Sequence, residues 1–369
     1  MKRDQVSRVR GPKKTQQSML SLRTPEQRVP VKHPLRAIKK MVDEALEAMS
    51  AKFDEMYSAV GRPSIPPEQL LKGSLLQALY SIRSERQLCE QLDYNLLYRW
   101  FLDMGADDAT FDHSTFSANR ERFMKHDVGQ QLFKKVVEQA KAANLLSPEH
   151  FSVDGSLIEA AASLKSFRPK DERPEDRPPP DDPGNPTVNF HGEKRSNETH
   201  ESTTDSEARL ARKSNGTTAK LSYCLNGMSE NRNGLLVGLC VMTATGTAER
   251  DGALKLIYES VPGTKRITVG SDKAYDTKDF VAESRHMNAT PHVARKKKHS
   301  ALAERYAGTP GYLLSQRARK LIEEAWGWMK EVGGLRKLKV VGRRRAEHVA
   351  FLVGAAFNLR RLATLLPTA

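Results

Sequence analysis

Near residue 146 the hydrophobic pattern changes its period, and this change restricts the fold more than any other feature of the chain. From about residue 34 to 145, apolar residues recur at three- and four-residue spacing, as in HPLRAIKKMVDEALEAMSAKFDEMY. Gly61 and the PSIPPEQ stretch interrupt the pattern, and Pro66-Pro67 suit the first turn of a further helix through LLKGSLLQALYSI. Shorter helices are expected around 85–92 and 94–102. Asp112 or Ser114 caps another, and GQQLFKKVVEQAKAANLL closes the block. Beyond it, HFSVDGSLIEA, KLSYCLNGM, GLLVGLCVMTAT, RITVGSD and TPHVA read as strands. SENRN joins two of them as a hairpin, ERDGALKLIYESV and DTKDFVAESRHM lie between strands as helices, and two longer helices at about 314–332 and 346–366 finish the chain. An all-helical block followed by alternating strands and helices predicts an α/β fold with an all-helical N-terminal domain.

Two segments fit neither pattern. Residues 1–34 lack periodicity and read as a flexible basic arm, leaving 35–145 as the helical domain and 146–369 as the second domain. Within the latter, a Pro- and charge-rich insertion at about 165–216 contains SFRPKDERPEDRPPPDDPGNPT, which reads as unable to pack. No internal repeat is visible.

Charge points to a partner. Lys and Arg total 60 against 45 Asp and Glu, a net charge of +15, which favours a polyanion. The cations concentrate in the N-terminal arm, in Arg295-Lys296-Lys297-Lys298, and in RKLKVVGRRR from Arg336 to Arg345. No apolar run approaches the length of a membrane span. The basic start has no apolar segment after it, so a secretory signal is not expected. Three cysteines, Cys89, Cys224 and Cys240, share no CxxC spacing and fit a reducing cytoplasm; Cys224 and Cys240, in strands, read as core thiols.

Three acids stand where chemistry could gather. Asp154 is expected to end the first strand of the second domain, Asp272 to end the strand RITVGSD, and Glu323 to lie on the late helix RKLIEEAWGWMK. Carboxylates at strand ends share one sheet edge, and a helix packed there adds a third. Such an oxygen-rich set suits Mg²⁺ or Mn²⁺, and two ions could activate water and stabilise a leaving phosphate-ester oxygen. Taken singly, an Asp at a strand end is more often a turn former and a helical Glu more often solvated. Arg319 and Glu323 are i,i+4, and Lys330 lies two turns beyond Glu323, so acid, Arg and Lys share one stripe. Glu324 competes with Glu323 but lies about 100° round the helix. Asp276 competes with Asp272 but better suits the cap of the next helix. Trp326 and Trp328 cannot both face the core, so one is free to contact something else. His191, His200 and His292 have no regular metal-ligand spacing. SIRSER, residues 81–86, lies between two helices and reads as capping and ion pairing before it reads as a DNA-reading turn.

From His33 to its end the chain resembles bacterial DDE transposases of the IS-five type. The helical half matches in GRPSIPPEQLLKGSLLQALYSIRSERQLCEQLDYNLLYRWF and DHSTFSANRERF. The second half matches in FSVDGSLIEAAASLKSFRPKD, FHGEKRSNETHESTTDSEARL, TGTAERDGAL, SDKAYDT, GYLLSQRARKLIEEAWGWMK and AAFNLRRL. The resemblance implies a ribonuclease-H-like catalytic domain, a mixed sheet with flanking helices, with the three acids at Asp154, Asp272 and Glu323. Two departures stand out. Gln316 takes the place of a Tyr three residues before Arg319, the nearest tyrosine being Tyr312, and HSALAERYAGTPGYLLS replaces a stretch usually rich in Arg, Thr and His.

The expected function is therefore transposition. The N-terminal domain would bind terminal inverted repeats and dimerise. The catalytic domain, holding two Mg²⁺ or Mn²⁺ on Asp154, Asp272 and Glu323, would hydrolyse the phosphodiester at the element ends and join the 3′-hydroxyls to target DNA. Arg319 and Lys330 would position phosphate. Lys296, Lys297, Arg336, Lys337, Lys339, Arg343, Arg344 and Arg345 would add sequence-independent affinity for double-stranded DNA. The chain would work as a homodimer on DNA in a bacterial cytoplasm. The alternatives are a catalytically inactive or domesticated DNA-binding repressor, and a nuclease that cuts without joining.

Overall fold

Helix starts follow local chemistry. In the computed structural model, which describes residues 23–57, 64–171, 195–214, 216–260 and 265–366, Thr24 and Gln27 form a capping box on α1 (Pro25–Arg28). Part of the expected arm is thus ordered. Arg36 donates to the carbonyls of Val29 and Pro30 at 2.8 and 3.1 Å, which ties this segment to α2 (Pro34–Glu47). Residues 1–22, and the expected break at Gly61, lie outside the described part. Helices α3 (Ser50–Met56), α4 (Pro67–Leu79), α5 (Glu85–Tyr94), α6 (Leu96–Phe101), α7 (Ser114–Lys125) and α8 (Val128–Ala142) complete the N-terminal block. Pro66 and Pro67 take the cap and first position of α4, as their missing N–H groups favour. Ser84 caps α5 through Gln87 N, so SIRSER is a helix start.

The second half builds a mixed sheet. Its strands are β1 (His150–Glu159), β2 (Phe167–Pro169), β3 (His200–Ser202), β4 (Arg209–Ala211), β5 (Lys220–Glu230), β6 (Leu236–Thr243), β7 (Ile267–Ser271) and β8 (Ala289–Val293). Strands β6, β5 and β1 pair antiparallel, and β7 and β8 follow parallel to β1, giving the order β6-β5-β1-β7-β8. β4 extends the β6 side of β5 over three residues. At the β5–β6 turn the buried Glu230 carboxylate accepts from four backbone N–H groups, those of Ser147, Arg232, Asn233 and Leu235. A carboxylate satisfied in this way can be buried without a cation.

Helices cover both faces. α9 (Ala248–Ser260) and α10 (Lys278–His286) enclose a core of Phe151, Val153, Leu256, Val269 and Phe280. The other face carries α12 (Pro310–Ala318), α13 (Leu321–Glu331) and α14 (Arg343–Leu365), after the short α11 (Glu304–Ala307). α14 also packs on α8, α4 and α2, so the helical block and the sheet share one apolar cluster.

Three expectations are corrected here. The helix at 314–332 is two helices, because the chain tightens at Arg319-Lys320 through three-residue bonds, Ile322 N to Arg319 O and Glu323 N to Lys320 O. That joint lets α12 follow β7 and β8 while α13 follows β1 and β5 across a twisted sheet. The described parts of the 165–216 segment do pack. β2 and β3 form a ribbon, Phe167 is buried against His200 with ring centroids 5.5 Å apart, and the Tyr223 hydroxyl donates to buried Asp205 at 2.5 Å. Residues 172–194, with His191, lie outside the described part. Finally, Asp154 does not end its strand, since the ladder with β5 continues to Glu159 opposite Ser222.

Candidate active site

The parallel pairing of β1 with β7 brings two of the three acids together. Its register ends at Ser152 opposite Gly270. Two residues further on, Asp154 and Asp272 stand at the same level, where β7 stops and β1 runs on. Adjacent strands lie about 4.8 Å apart, so the two carboxylates repel. Asp272 accepts from Ala274 N at 2.7 Å and caps the turn after β7. Its competitor Asp276 is buried and faces elsewhere, accepting from Lys296 N at 2.7 Å and Ala301 N at 2.8 Å. Burial raises the Asp276 carboxyl, but those bonds and Ser300 outweigh it and hold it below its ordinary value. Asp276 therefore organises the loop at 296–301, and the cap of α10 is Thr277, not Asp276.

Asp154 faces α13, where Trp326 Nε1 donates to its Oδ2 at 2.9 Å. The indole reaches it by lying over Gly227, the residue paired with Asp154 on β5. A Cβ at Gly227 would sit 2.6 Å from Trp326 Cη2. Trp326 is 5% exposed, so it packs under the acid. We expect Gly227→Ala to push the indole off Asp154 and cost about 1–3 kcal/mol as an overpacked site. Chemical denaturation with tryptophan emission would read both effects, and an unchanged midpoint and spectrum would refute the contact.

Burial raises the Asp154 carboxyl to about 7; Trp326 opposes this, while Asp272 and Glu249 reinforce it. Glu249, in the first turn of α9, is a residue to which sequence reasoning gave no role. Its side chain fills the space beside Gly155, where a Cβ would lie 2.5 Å from Glu249 Cγ. It forms no ion pair among the described residues, and burial and then Asp272 raise its carboxyl. Its only sequence signal was membership of TGTAERDGAL.

Lys330 joins the same face of β1, donating to Ser156 Oγ at 2.6 Å. Burial, then Lys213 and Arg336, lower its ammonium, and Asp154 acts against them. Glu323 is exposed, one turn before Trp326 on α13. Glu324 points the other way, to Arg361 on α14 at 3.1 Å. The expected Arg319–Glu323 pair does not form. Arg319 sits at the α12–α13 joint, beside Gly270, and donates to Gln316 at 3.1 Å. Gln316 in turn binds the carbonyls of Ser271 and His292. Tyr312 is buried with its hydroxyl on Val293 O at 3.0 Å, so it is structural. The His292 Nδ1 likewise pairs with Ser315 at 2.7 Å. Among the described residues no three His, Cys, Asp or Glu side chains are grouped closely enough to hold an ion; two of the expected acids meet, and the third stands apart on α13.

The basic runs are placed unevenly. Arg336 pairs with Glu331, Lys337 with Glu159 at 3.3 Å, Arg343 with Glu207 at 3.5 Å, and Arg345 with Glu121. Arg344 donates to Met124 O at 3.2 Å and Lys339 to Arg83 O. Much of RKLKVVGRRR thus ties α14 and its approach to neighbouring elements. Lys296 holds Asp276 O at 2.8 Å, while Lys297 is exposed and makes no ion pair among the described residues. No helix of the described residues is long and apolar enough to cross a membrane.

Comparison with known proteins gives two family matches. Residues 23–122 match a family described as a transposase domain, DUF772, and residues 276–363 match a transposase DDE domain. The second match includes Glu323 and Lys330; Asp154 and Asp272 fall between the two. No curated protein matches the chain. Among solved structures, the Mos1 mariner paired-end complex with Mn is 13% identical, over 87% of this chain and 84% of that one, at a TM-score of 0.20. The Mos1 strand transfer complex is 11% identical, over 77% and 82%, also at 0.20.

Proposed function

With a transposase domain near each end of the chain as the premise, we propose that this DDE transposase cuts and joins DNA at the edge where β1 and β7 part. The carrying observation is Asp154 beside Asp272, half-buried, held by Trp326 and flanked by Lys330. The finer assignments belong to the same proposal. The sheet order, with three antiparallel strands followed by two parallel ones, supports the ribonuclease-H-like assignment of residues 146–369. Residues 35–145 form the helical DNA-binding and dimerisation unit, and IS-five is the type.

DDE transposases use divalent metal ions, and the paired carboxylates of Asp154 and Asp272 suit such a group. Two carboxylates at one level, with no cation paired to either among the described residues, form an anionic edge that a hard cation would neutralise. Asp154, Asp272 and Glu323 would hold Mg²⁺ or Mn²⁺, as the two ions that two-metal chemistry requires, supplying an activated water and stabilisation of the leaving oxygen. The protein's own part is positional. Trp326 fixes the Asp154 carboxylate, and Lys330 offers its ammonium to a phosphate beside Ser156. Arg319, over Gly270, supplies a second cation on that face. Water then attacks the phosphodiester at an element end, and the freed 3′-hydroxyl attacks target DNA, both by in-line displacement. Lys297, exposed beyond β8, and the outer cations of the 336–345 run add backbone affinity to duplex DNA. Surface ion pairs such as Arg336–Glu331 are weak enough to exchange for phosphate. Two protomers would pair the two ends.

The placement of the third acid gives a direct test. Cleavage of DNA carrying the element's ends, in Mg²⁺, should fall at least about a hundredfold in Glu323→Gln, some 3 kcal/mol of barrier. Glu324→Gln should cut nearly as wild type, because that side chain is committed to Arg361. The reverse pattern would move the ligand to Glu324. If the wild type bound the ends but neither cut nor joined them, the inactive DNA-binding reading would replace this one; cutting without joining would favour a nuclease.

A further inference from the structure

A cavity of about 290 Å³ lies against β8, away from the paired acids. Ala289 to His292 form one wall, Arg266 and Arg285 stand at its rim, and Tyr306 closes it from the segment before α12. No acid lines it. Among the described residues Arg266, Arg285 and Arg305 form no ion pair, in contrast to most of the 336–345 run. The Arg285 guanidinium lies 6.0 Å, and that of Arg305 5.1 Å, from the centre of the Tyr306 ring. Tyr306 itself is 41% exposed. Guanidinium groups gathered without a carboxylate repel one another and favour an anion, and their planar forks suit phosphate. An exposed tyrosine among them offers a face for a base or sugar. The volume is at the low end for a small-ligand pocket, room for one nucleotide and too small for a duplex.

We infer that this pocket binds an unpaired nucleotide of a DNA strand, with phosphate at Arg266 and Arg285 and the base or sugar against Tyr306. The inference rests on the DNA-processing reading above and names a strand contact outside the acid edge. The geometry supplies a path between the two. Arg295 Nε donates to Leu302 O at 2.9 Å, on the pocket wall. Lys297 and Lys298 are exposed next to it, and Lys296 binds Asp276, four residues after Asp272. β8 runs alongside β7, Val293 opposite Ser271, so a strand leaving the pocket along β8 arrives at the acids. Tyr306 and Arg305 both belong to the 299–311 stretch that departs from the family pattern; the departure supplies a strand contact of its own.

The test uses the full chain in EDTA, so that binding is read without cleavage. Fluorescence anisotropy over a KCl series would follow labelled oligothymidylate and a blunt duplex. Tyr306→Ala should weaken oligothymidylate about tenfold, with Tyr306→Phe close to wild type. The pair Arg266→Ala and Arg285→Ala should lower the salt slope by about 0.7 for each phosphate no longer neutralised. Duplex binding should change less than about twofold in both, and thermal melts should match wild type, since these side chains lie at the rim. Equal losses on duplex and single strand would overturn the inference, as would no loss on either. Loss in the arginine variant alone would make the pocket a plain phosphate site and also overturn it. Wild type that binds duplex but not oligothymidylate would sink the pocket and leave the proposed function standing. Wild type that binds neither would sink both.

Discussion

Asp154→Asn is expected to abolish strand cleavage and joining and, at pH 8, to give a more stable protein than wild type. The loss of activity should be at least about a thousandfold, near 4 kcal/mol of barrier, because the amide cannot supply the charge that a divalent ion needs. The gain in stability comes from the same carboxylate. Folding lifts its pKa from an ordinary 3.8 to about 7, first through burial and then through Asp272 and Glu249. Between those two values the native state holds a proton that the unfolded chain has released, so stability falls as pH rises from about 4 to about 7 and is flat above. The full effect is at most about 4 kcal/mol. Asparagine keeps an oxygen for Trp326 Nε1 and carries no charge. Its melting temperature should therefore exceed that of wild type at pH 8 and match it near pH 4. Mg²⁺ should narrow the gap at pH 8 by stabilising wild type alone. A variant that melts below wild type at pH 8 would show that Asp154 is not under this strain.

Asn358→Ala is expected to destabilise the protein by about 2–5 kcal/mol. Asn358 is fully buried on α14 and meets the edge of β6 as another strand would, its Oδ1 accepting from Leu236 N at 2.9 Å and its Nδ2 donating to Leu236 O at 2.8 Å. Truncation leaves a buried N–H and a buried C=O without partners, at about 1–3 kcal/mol each. Asn358→Asp should not rescue it, since a carboxylate cannot donate to the carbonyl and would itself be buried. Urea midpoints for the two variants decide the matter; a loss below about 1 kcal/mol would mean that water or a shifted side chain fills the gap. Asn358 lies in AAFNLRRL, a stretch carrying the family resemblance, and its place in the fold is architectural.

Much of the architecture was legible because it rests on local rules. Pro66-Pro67 begin α4, Ser84 caps α5, and the apolar runs RITVGSD and TPHVA become β7 and β8. Where a long-range partner sets the outcome, local pattern does not reveal it. Asp154 reads as a strand end because the apolar run stops there, yet β5 pairs on to Glu159 and carries the strand past it. One helix was expected where α12 and α13 bend around a twisted sheet. Phe167 and His200 pack within a segment whose composition argued against packing. The cations of 336–345 were visible as charge, but their carboxylate partners lie up to 224 residues away, as in Arg345 with Glu121.

The sequence by itself determined the alternation of elements and the positive balance, and it marked the candidate acids, since periodicity, composition and motif spacing are properties of neighbouring residues. Tertiary structure alone decided which groups share a field. It set Asp154 level with Asp272, laid Trp326 over Gly227 to hold one carboxylate, and brought Glu249 beside Gly155. It turned Glu324 to Arg361 while leaving Glu323 exposed. Hydrogen bonds, burial and charge repulsion act over a few ångström through space, and only the folded chain fixes those distances.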